Sequence, residues 1–207
     1  VSKAEGRVVA LEDVAPTPAA RRLAEEINKD PRLVELMLRE SNRPLRWREG
    51  TIILEHRLGF VCANAGIDRS NVAQDAAGKT LVALLPEDPD RSARALREGL
   101  RRLLGVTLAV LILDTHGRPF REGAVGVTIG VAGMRPLTRM VGWVDRYGYT
   151  MHSTVIATAD EIAAAASLLM GQTNESRPVI IVRGAPYQAG EGSLSELLRA
   201  RSKDMFR

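Results

Sequence analysis

Cysteine, aromatics and long apolar runs are what this chain has least of. Cys62 is its single cysteine in 207 residues, so an internal disulfide framework and a cysteine zinc site are both excluded, and a reducing cytoplasm is the expected location. Phe, Trp and Tyr together make up 4% of the residues. The core must therefore be built from Leu, Val, Ile and Ala, and there is no aromatic platform on which single-stranded nucleic acid would stack. No apolar run is long enough to cross a bilayer, and no signal peptide is visible, so no membrane partner is expected. The sequence also carries neither G-x-x-x-x-G-K-[ST] nor G-x-G-x-x-G, which means that any nucleotide is bound by a less common fold.

Charge is present in both signs. The net charge is +4, from 29 basic and 25 acidic residues. This balance leans toward anionic partners, but the signs are interspersed rather than blocked, which argues against nucleic acid. Hydrophobic content of 45% supports a real core at this length. The chain opens without Met, in mid-pattern, at Val1-Ser2-Lys3-Ala4-Glu5-Gly6-Arg7. It is read as one domain over 1–207 that lacks an N-terminal segment.

Helix and strand signals alternate. Residues 17–40 read as helical with a break at Asp30-Pro31, an N-cap followed by proline at the first helical position. A strand is predicted at 51–55, an ordered loop at 57–72, and a strand at 81–86 ended by proline. Asp88-Pro89 opens a helix with Ala93, Leu96, Leu100 and Leu103 on one face, and Gly105 closes it. A strand over 107–113 and a loop from Asp114 follow, then a glycine-containing strand over 125–132. Thr158-Ala159-Asp160-Glu161 reads as a capping box for a helix ending at Met170, with Gly171 beyond it. A strand at 178–182 and a last helix capped by Ser193 and Glu196 complete the pattern. This order predicts an α/β or mixed α+β fold, with a mixed sheet and flanking helices.

The stretch most suggestive of chemistry is Asp114-Thr115-His116-Gly117-Arg118-Pro119-Phe120-Arg121-Glu122-Gly123, at the end of the apolar run 108–113. Ligand groups gather at the carboxyl ends of strands in open sheets. A carboxylate plus a hydroxyl suits Mg²⁺ or Mn²⁺, Arg118 and Arg121 suit phosphate or carboxylate oxygens, and Gly117 allows close backbone approach. The plainer alternative is a β-turn in which Asp114 bonds its own backbone. A second loop offers Asp68 as another metal carboxylate and Asn71 for a base, ribose or phosphate, with an Asx-turn as its alternative. Lys3 and Arg7 suit phosphate or a solvated basic end, and the loop 171–176 reads as a connector. His56, His116 and His152 have no ligand spacing, and Cys62 reads as a small buried hydrophobe.

Taken together these stretches resemble the coenzyme F-420 gamma-glutamyl ligases, which add glutamate to a deazaflavin coenzyme precursor. The resemblance is carried, in order, by Val1 to Arg7, EHRLGFVCANAGIDRSNV at 55–72, LLPEDPDRSAR at 84–94, DTHGRPFREG at 114–123, IGVAG at 129–133, DRYG at 145–148, ATADEIAAAASLLMGQ at 157–172 and PVIIVRG at 178–184. It implies that GTP phosphorylates a substrate carboxylate and that the amine of L-glutamate displaces the phosphate. It also implies Mn²⁺ or Mg²⁺, an assisting K⁺, and a two-lobed, intertwined homodimer. The implied metal ligands are Asp68, Asp114, Thr115 and Gln172. The implied nucleotide contacts are Lys3, Asn71, Met170, Gly171, Gln172, Thr173, Asn174, Glu175, Ser176 and Arg177. No general base is implied.

The chain departs from the family pattern at His116 and Phe120, where an aromatic and Trp are usual. It also departs at Ala124 and Gly126, where Gln and Asp are usual, and at Tyr149 and Thr150, where an Arg-Glu pair is usual. These positions bear on the acceptor, so a related ligase with a different carboxylate acceptor is the alternative, followed by a non-catalytic nucleotide-binding relative.

Overall fold

The computed structural model describes residues 1–72 and 78–205. It is a mixed α/β fold in which the strands form several small sheets rather than one mixed sheet. Each pairing with a described register is antiparallel. The chain divides into two compact units. The first comprises Val1–Glu87, His116–Gly123 and Asp204–Arg207, and the second comprises Asp88–Thr115 and Ala124–Lys203.

In the first unit, β1 (Val8–Ala10) pairs with β5 (Leu81–Ala83). Helices α1 (Pro18–Ile27) and α2 (Pro31–Arg39) meet at the predicted break. Thr17 caps α1 through the Ala20 N–H, Asn28 ends it in the left-handed region, and Asp30 caps α2 through the Arg32 N–H. Strands β2 (Ser41–Arg48), β3 (Thr51–His56) and β4 (Val61–Ala63) form a sheet in that order. The helices bury Ile27, Val34 and Met37 with Ile52 and Leu54 of β3, and Leu11 and Val82 complete one aliphatic cluster.

One strand has no counterpart in the sequence reading and one expectation needs correction. β2 has no strand-like sequence, because it is a polar edge strand that tolerates Pro44 at an irregular register. The predicted loop 57–72 contains β4 and a short 3-10 turn, Asn64–Gly66, because Cys62 packs inward when its strand pairs with β3.

In the second unit, α3 (Pro89–Leu104) runs from its Asp88 cap to a left-handed Gly105. Of its predicted apolar face Ala93 is buried, whereas Leu96 and Leu103 are exposed. β6 (Val110–Arg118) and β7 (Arg121–Ala132) are paired neighbours joined through Pro119 and Phe120. The expected Asp114 loop is therefore strand, and the turn falls five residues later, where Phe120 takes φ +59°. Strand pairing has overridden the local turn chemistry. Gly130 of β7 sits where a Cβ would lie 2.5 Å from the Pro89 carbonyl oxygen, so α3 starts directly against the strand.

Short strands β8 (Thr138–Arg139) and β9 (Val155–Ile156) pair before α4 (Thr158–Met170). The predicted capping box of α4 does not form. Ala157 is the N-cap, the Thr158 hydroxyl lies 2.6 Å from that of Thr138, and Asp160 accepts the Thr128 N–H. Residues 178–182 form no strand, and Val179 and Ile181 are exposed. The last helix, α5 (Leu194–Leu197), does carry the expected Ser193–Glu196 capping box.

Candidate functional site

Side chains alternate along a strand, so β6 directs Asp114, His116 and Arg118 to one face and Thr115 to the other. On its face Thr115 meets the end of α4, where its hydroxyl donates to Gln172 Oε1 at 3.2 Å, across 57 residues of sequence. The other end of the Gln172 amide, Nε2, donates to Ser167 Oγ at 3.4 Å. Gly171, at φ +78°, turns the chain so that Gln172 can reach back. Two residues predicted from separate motifs are thus brought into contact within the second unit.

The loop after Gln172 is internally bonded. Glu175 accepts the Thr173 N–H at 2.8 Å and the Thr173 hydroxyl at 3.3 Å. The Thr173 N–H, with its neighbours, holds the Glu175 carboxyl below the usual carboxylate range. Ser176 donates to the Asn174 carbonyl, and Arg177 donates to the Leu169 carbonyl at the end of α4. Met170 is half-buried and the rest of the stretch beyond Gly171 is exposed. The structure makes this connector a defined turn rather than an open strand.

In the first unit, Lys3 Nζ donates to the carbonyl of Asn71, itself in the left-handed region at φ +50°. These two expected nucleotide contacts therefore lie together. Asp68 is exposed, and its carboxylate accepts the Ser70 N–H at 2.7 Å and the Ser70 hydroxyl at 2.9 Å, the Asx-turn anticipated as the plainer alternative. Its backbone is tied to Ala83 in both directions, which fixes the loop against β5. Arg118 donates to the Glu122 carbonyl across the hairpin end, and Arg121 is exposed. Arg7 is a half-buried, paired side chain rather than a solvated end. It donates to Glu40 at 2.7 Å and to the Leu85 carbonyl at 3.0 Å.

Among the described residues, no three His, Cys, Asp or Glu side chains converge as metal ligands. The oxygens that do converge, Thr115 Oγ1 and Gln172 Oε1, are neutral. Neighbouring ligands in an octahedron with bonds of about 2.1 Å lie about 3.0 Å apart. The Thr115–Gln172 distance of 3.2 Å matches one such edge, and neutral oxygens of this kind suit Mg²⁺ or Mn²⁺, whereas the Asp114 carboxylate leaves β6 on the other face.

Sequence reasoning treated the histidines as incidental. His56 is fully buried, with Nδ1 accepting the Leu58 N–H, and stacks on Phe60 at 4.9 Å, while Phe60 in turn meets His116 at 5.0 Å. Nothing in their spacing signals this stack. The departures lie in varied settings. Ala124 is exposed, Gly126 is buried under α4, and Tyr149 meets His152 edge-on at 5.6 Å beside the Val144–Thr150 bridge. Among the described residues no helix is long and apolar enough to cross a membrane.

Residues 1–184 match the family model described as F420-0:Gamma-glutamyl ligase. The whole chain aligns with the Coenzyme F420:L-glutamate ligase of Methanothermobacter thermautotrophicus at 49% identity, covering 81% of that protein. It also aligns over its whole length with the proteins of the same name from Methanopyrus kandleri, at 47% identity and 82% coverage, and Archaeoglobus fulgidus, at 41% and 80%.

Proposed function

The chain belongs to the F420-0:gamma-glutamyl ligase family, and from that premise we propose that it forms an amide between L-glutamate and the deazaflavin coenzyme F-420 precursor, using GTP and a divalent cation. A carboxylate oxygen of the acceptor attacks the γ-phosphorus of GTP, and GDP leaves. The glutamate nitrogen then attacks the resulting acyl phosphate, the carbon–oxygen bond to phosphate breaks, and phosphate leaves with the proton lost from nitrogen.

The observation that carries the reading is the meeting of Thr115 with Gln172, two residues that the family resemblance names as metal ligands and that the fold brings to 3.2 Å. Asp68 and Asp114 are the proposed carboxylate ligands. Bound Mn²⁺ or Mg²⁺ supplies charge neutralisation at the phosphates, with K⁺ assisting, so the chain's own task is largely positioning. Lys3, Asn71 and the stretch from Met170 to Arg177 contact the nucleotide, and Arg118 and Arg121 contact phosphate or the acceptor carboxylate. The working form is a cytoplasmic homodimer. Support comes from residues 178–182, an apolar stretch of strand character with Val179 and Ile181 exposed. Neither nucleic acid nor membrane is a partner.

Calorimetric titration with GTP in the presence of Mn²⁺, with ATP as control, tests the nucleotide reading. GTP-selective, metal-dependent binding supports it, and equal or absent binding of both nucleotides overturns it. A second reading, a different carboxylate acceptor, is favoured by exposed Ala124 and by Tyr149 and Thr150 on an exposed turn. An acceptor screen scored by phosphate release separates the two.

A further inference from the structure

Gly126 lies on the same face of β7 as Thr128, where α4 packs. Asp160 in the first turn of α4 accepts the Thr128 N–H at 2.9 Å, which fixes the start of the helix on the strand. Farther along α4, a Cβ on Gly126 would stand 2.5 Å from Ser167 Cβ, 2.9 Å from the Ala163 carbonyl oxygen and 3.0 Å from Ser167 Oγ. Gly126 has an ordinary backbone conformation, since it is not among the positive-φ glycines. It is the space, not the dihedral angle, that demands glycine here. Ser167, the residue pressed on Gly126, also accepts Nε2 of Gln172 and thereby turns Oε1 toward Thr115 on the neighbouring strand.

We infer that Gly126 and Ser167 are positioning residues for the Gln172–Thr115 oxygen pair: Gly126 sets how closely α4 lies on β7, and Ser167 converts that height into the orientation of the Gln172 amide. This deepens the proposed function and rests on its assignment of Gln172 and Thr115 as metal ligands. An alanine at 126 falls about 0.9 Å short of the 3.4 Å at which ordinary carbon contact begins. The Ala163 carbonyl is helix backbone, so α4 has to lift as a body. A lift of that size carries Ser167 and Gln172 together away from β6 and takes the 3.2 Å bond between Thr115 and Gln172 out of hydrogen-bonding range. Glycine inside a strand weakens it, and here that cost is offset by the close approach.

The test compares wild type with Gly126→Ala and Ser167→Ala. Groups that orient metal ligands are each worth about 10- to 100-fold in metal affinity. Mn²⁺ affinity, read by calorimetry or electron paramagnetic resonance on the folded protein, is therefore expected to fall about tenfold in each variant. Ser167→Ala opens no clash and keeps the wild-type Tm, so a merely structural role would leave its Mn²⁺ affinity unchanged. Unchanged affinity in Ser167→Ala, with only a lowered Tm in Gly126→Ala, overturns the inference. If wild type binds no Mn²⁺, the metal reading fails by itself. The positioning role is then judged on the side-chain amide resonances of Gln172 in metal-free protein. Displaced resonances in both variants sustain it, and wild-type resonances refute it.

Discussion

The two units treat their apolar residues in opposite ways. The first buries Leu11, Ile27, Val34, Met37, Ile52, Leu54 and Val82 in a single aliphatic cluster, and its carboxylates Glu35 and Glu40 are engaged by hydrogen-bond donors. Among the described residues, all of the exposed large apolar side chains except Val1, Trp47, Phe120 and Met205 belong to the second unit, among them Leu103, Leu168, Val179 and Ile181. The second unit also holds Asp114, Thr115 and Gln172. One unit gathers its large apolar side chains into that cluster; the other leaves many of them exposed. The comparison sets a closed aliphatic core against exposed apolar side chains, while the candidate site residues fall in both units, Lys3, Asp68 and Asn71 in the first and Asp114, Thr115 and Gln172 in the second.

The largest effect that would break this comparison comes from the second unit's carboxylate. Asp114→Asn is expected to lower metal-dependent ligation by about a hundredfold or more with an unchanged Tm. Full activity at limiting Mn²⁺ would remove Asp114 from the metal reading. A substitution in the first unit should do the reverse. Leu54 is fully buried, so Leu54→Ala is expected to cost about 3 kcal/mol of stability while KM for GTP stays unchanged. Leu168, 84% exposed, is the matching control, and its alanine variant should stay within about 0.5 kcal/mol in chemical denaturation. Equal costs at the two positions would erase the contrast between the units.

Assembly sharpens the same contrast. Ile181→Asp places a charge on an apolar stretch that has no strand partner among the described residues. Sedimentation is expected to show a dimer for wild type and a monomer for the variant. A wild-type monomer would mean that this surface serves something other than a second copy.

What could be read from the sequence follows from how local each signal is. Asp30-Pro31 and the Asp88-to-Gly105 span are helix punctuation written in nearby residues: α2 starts at the first, and α3 starts and stops at the ends of the second. β2 was illegible because its residues are mostly polar and its pairing with β3 is supplied from the next strand. Residues 178–182 misled for the opposite reason: their composition is that of a strand, but a strand also needs an edge to join. Asp114 was assigned to a loop because charge ended the apolar run, whereas the hairpin continues to Arg118. Asp68, Asn71, Asp114, Thr115, Arg118 and Arg121 stand out by local residue chemistry, whereas Gln172 and the rest of the stretch from Met170 to Arg177 come from the resemblance alone. Only the fold could show that Thr115 and Gln172 touch, or that Gly126 and Ser167 stand behind them.

The last predicted effect concerns acid, and it belongs to the first unit. Burial opposes ionisation of Glu40, but hydrogen bonds from Arg7 and Arg57 outweigh it and hold its carboxyl below the usual carboxylate range. Glu35 is likewise lowered, chiefly by the Thr17 N–H and hydroxyl. A carboxylate whose folded pKa is depressed contributes stability that is complete above its unfolded value and is lost as pH falls through the folded one. Unfolding of the first unit is therefore expected to become pH-dependent below the carboxylate value of 4.5 and to be flat above it. Glu40→Gln leaves Arg7 and Arg57 facing each other without their anion. It should cost about 2 kcal/mol at neutral pH, and its stability should depend less on acid than that of wild type. Denaturation midpoints at pH 7 and at pH values below the carboxylate range measure both. If the variant loses the same stability as wild type on acidification, the acid response lies outside the Glu40 cluster, and the first unit does not own the pH dependence that its ion pairs imply.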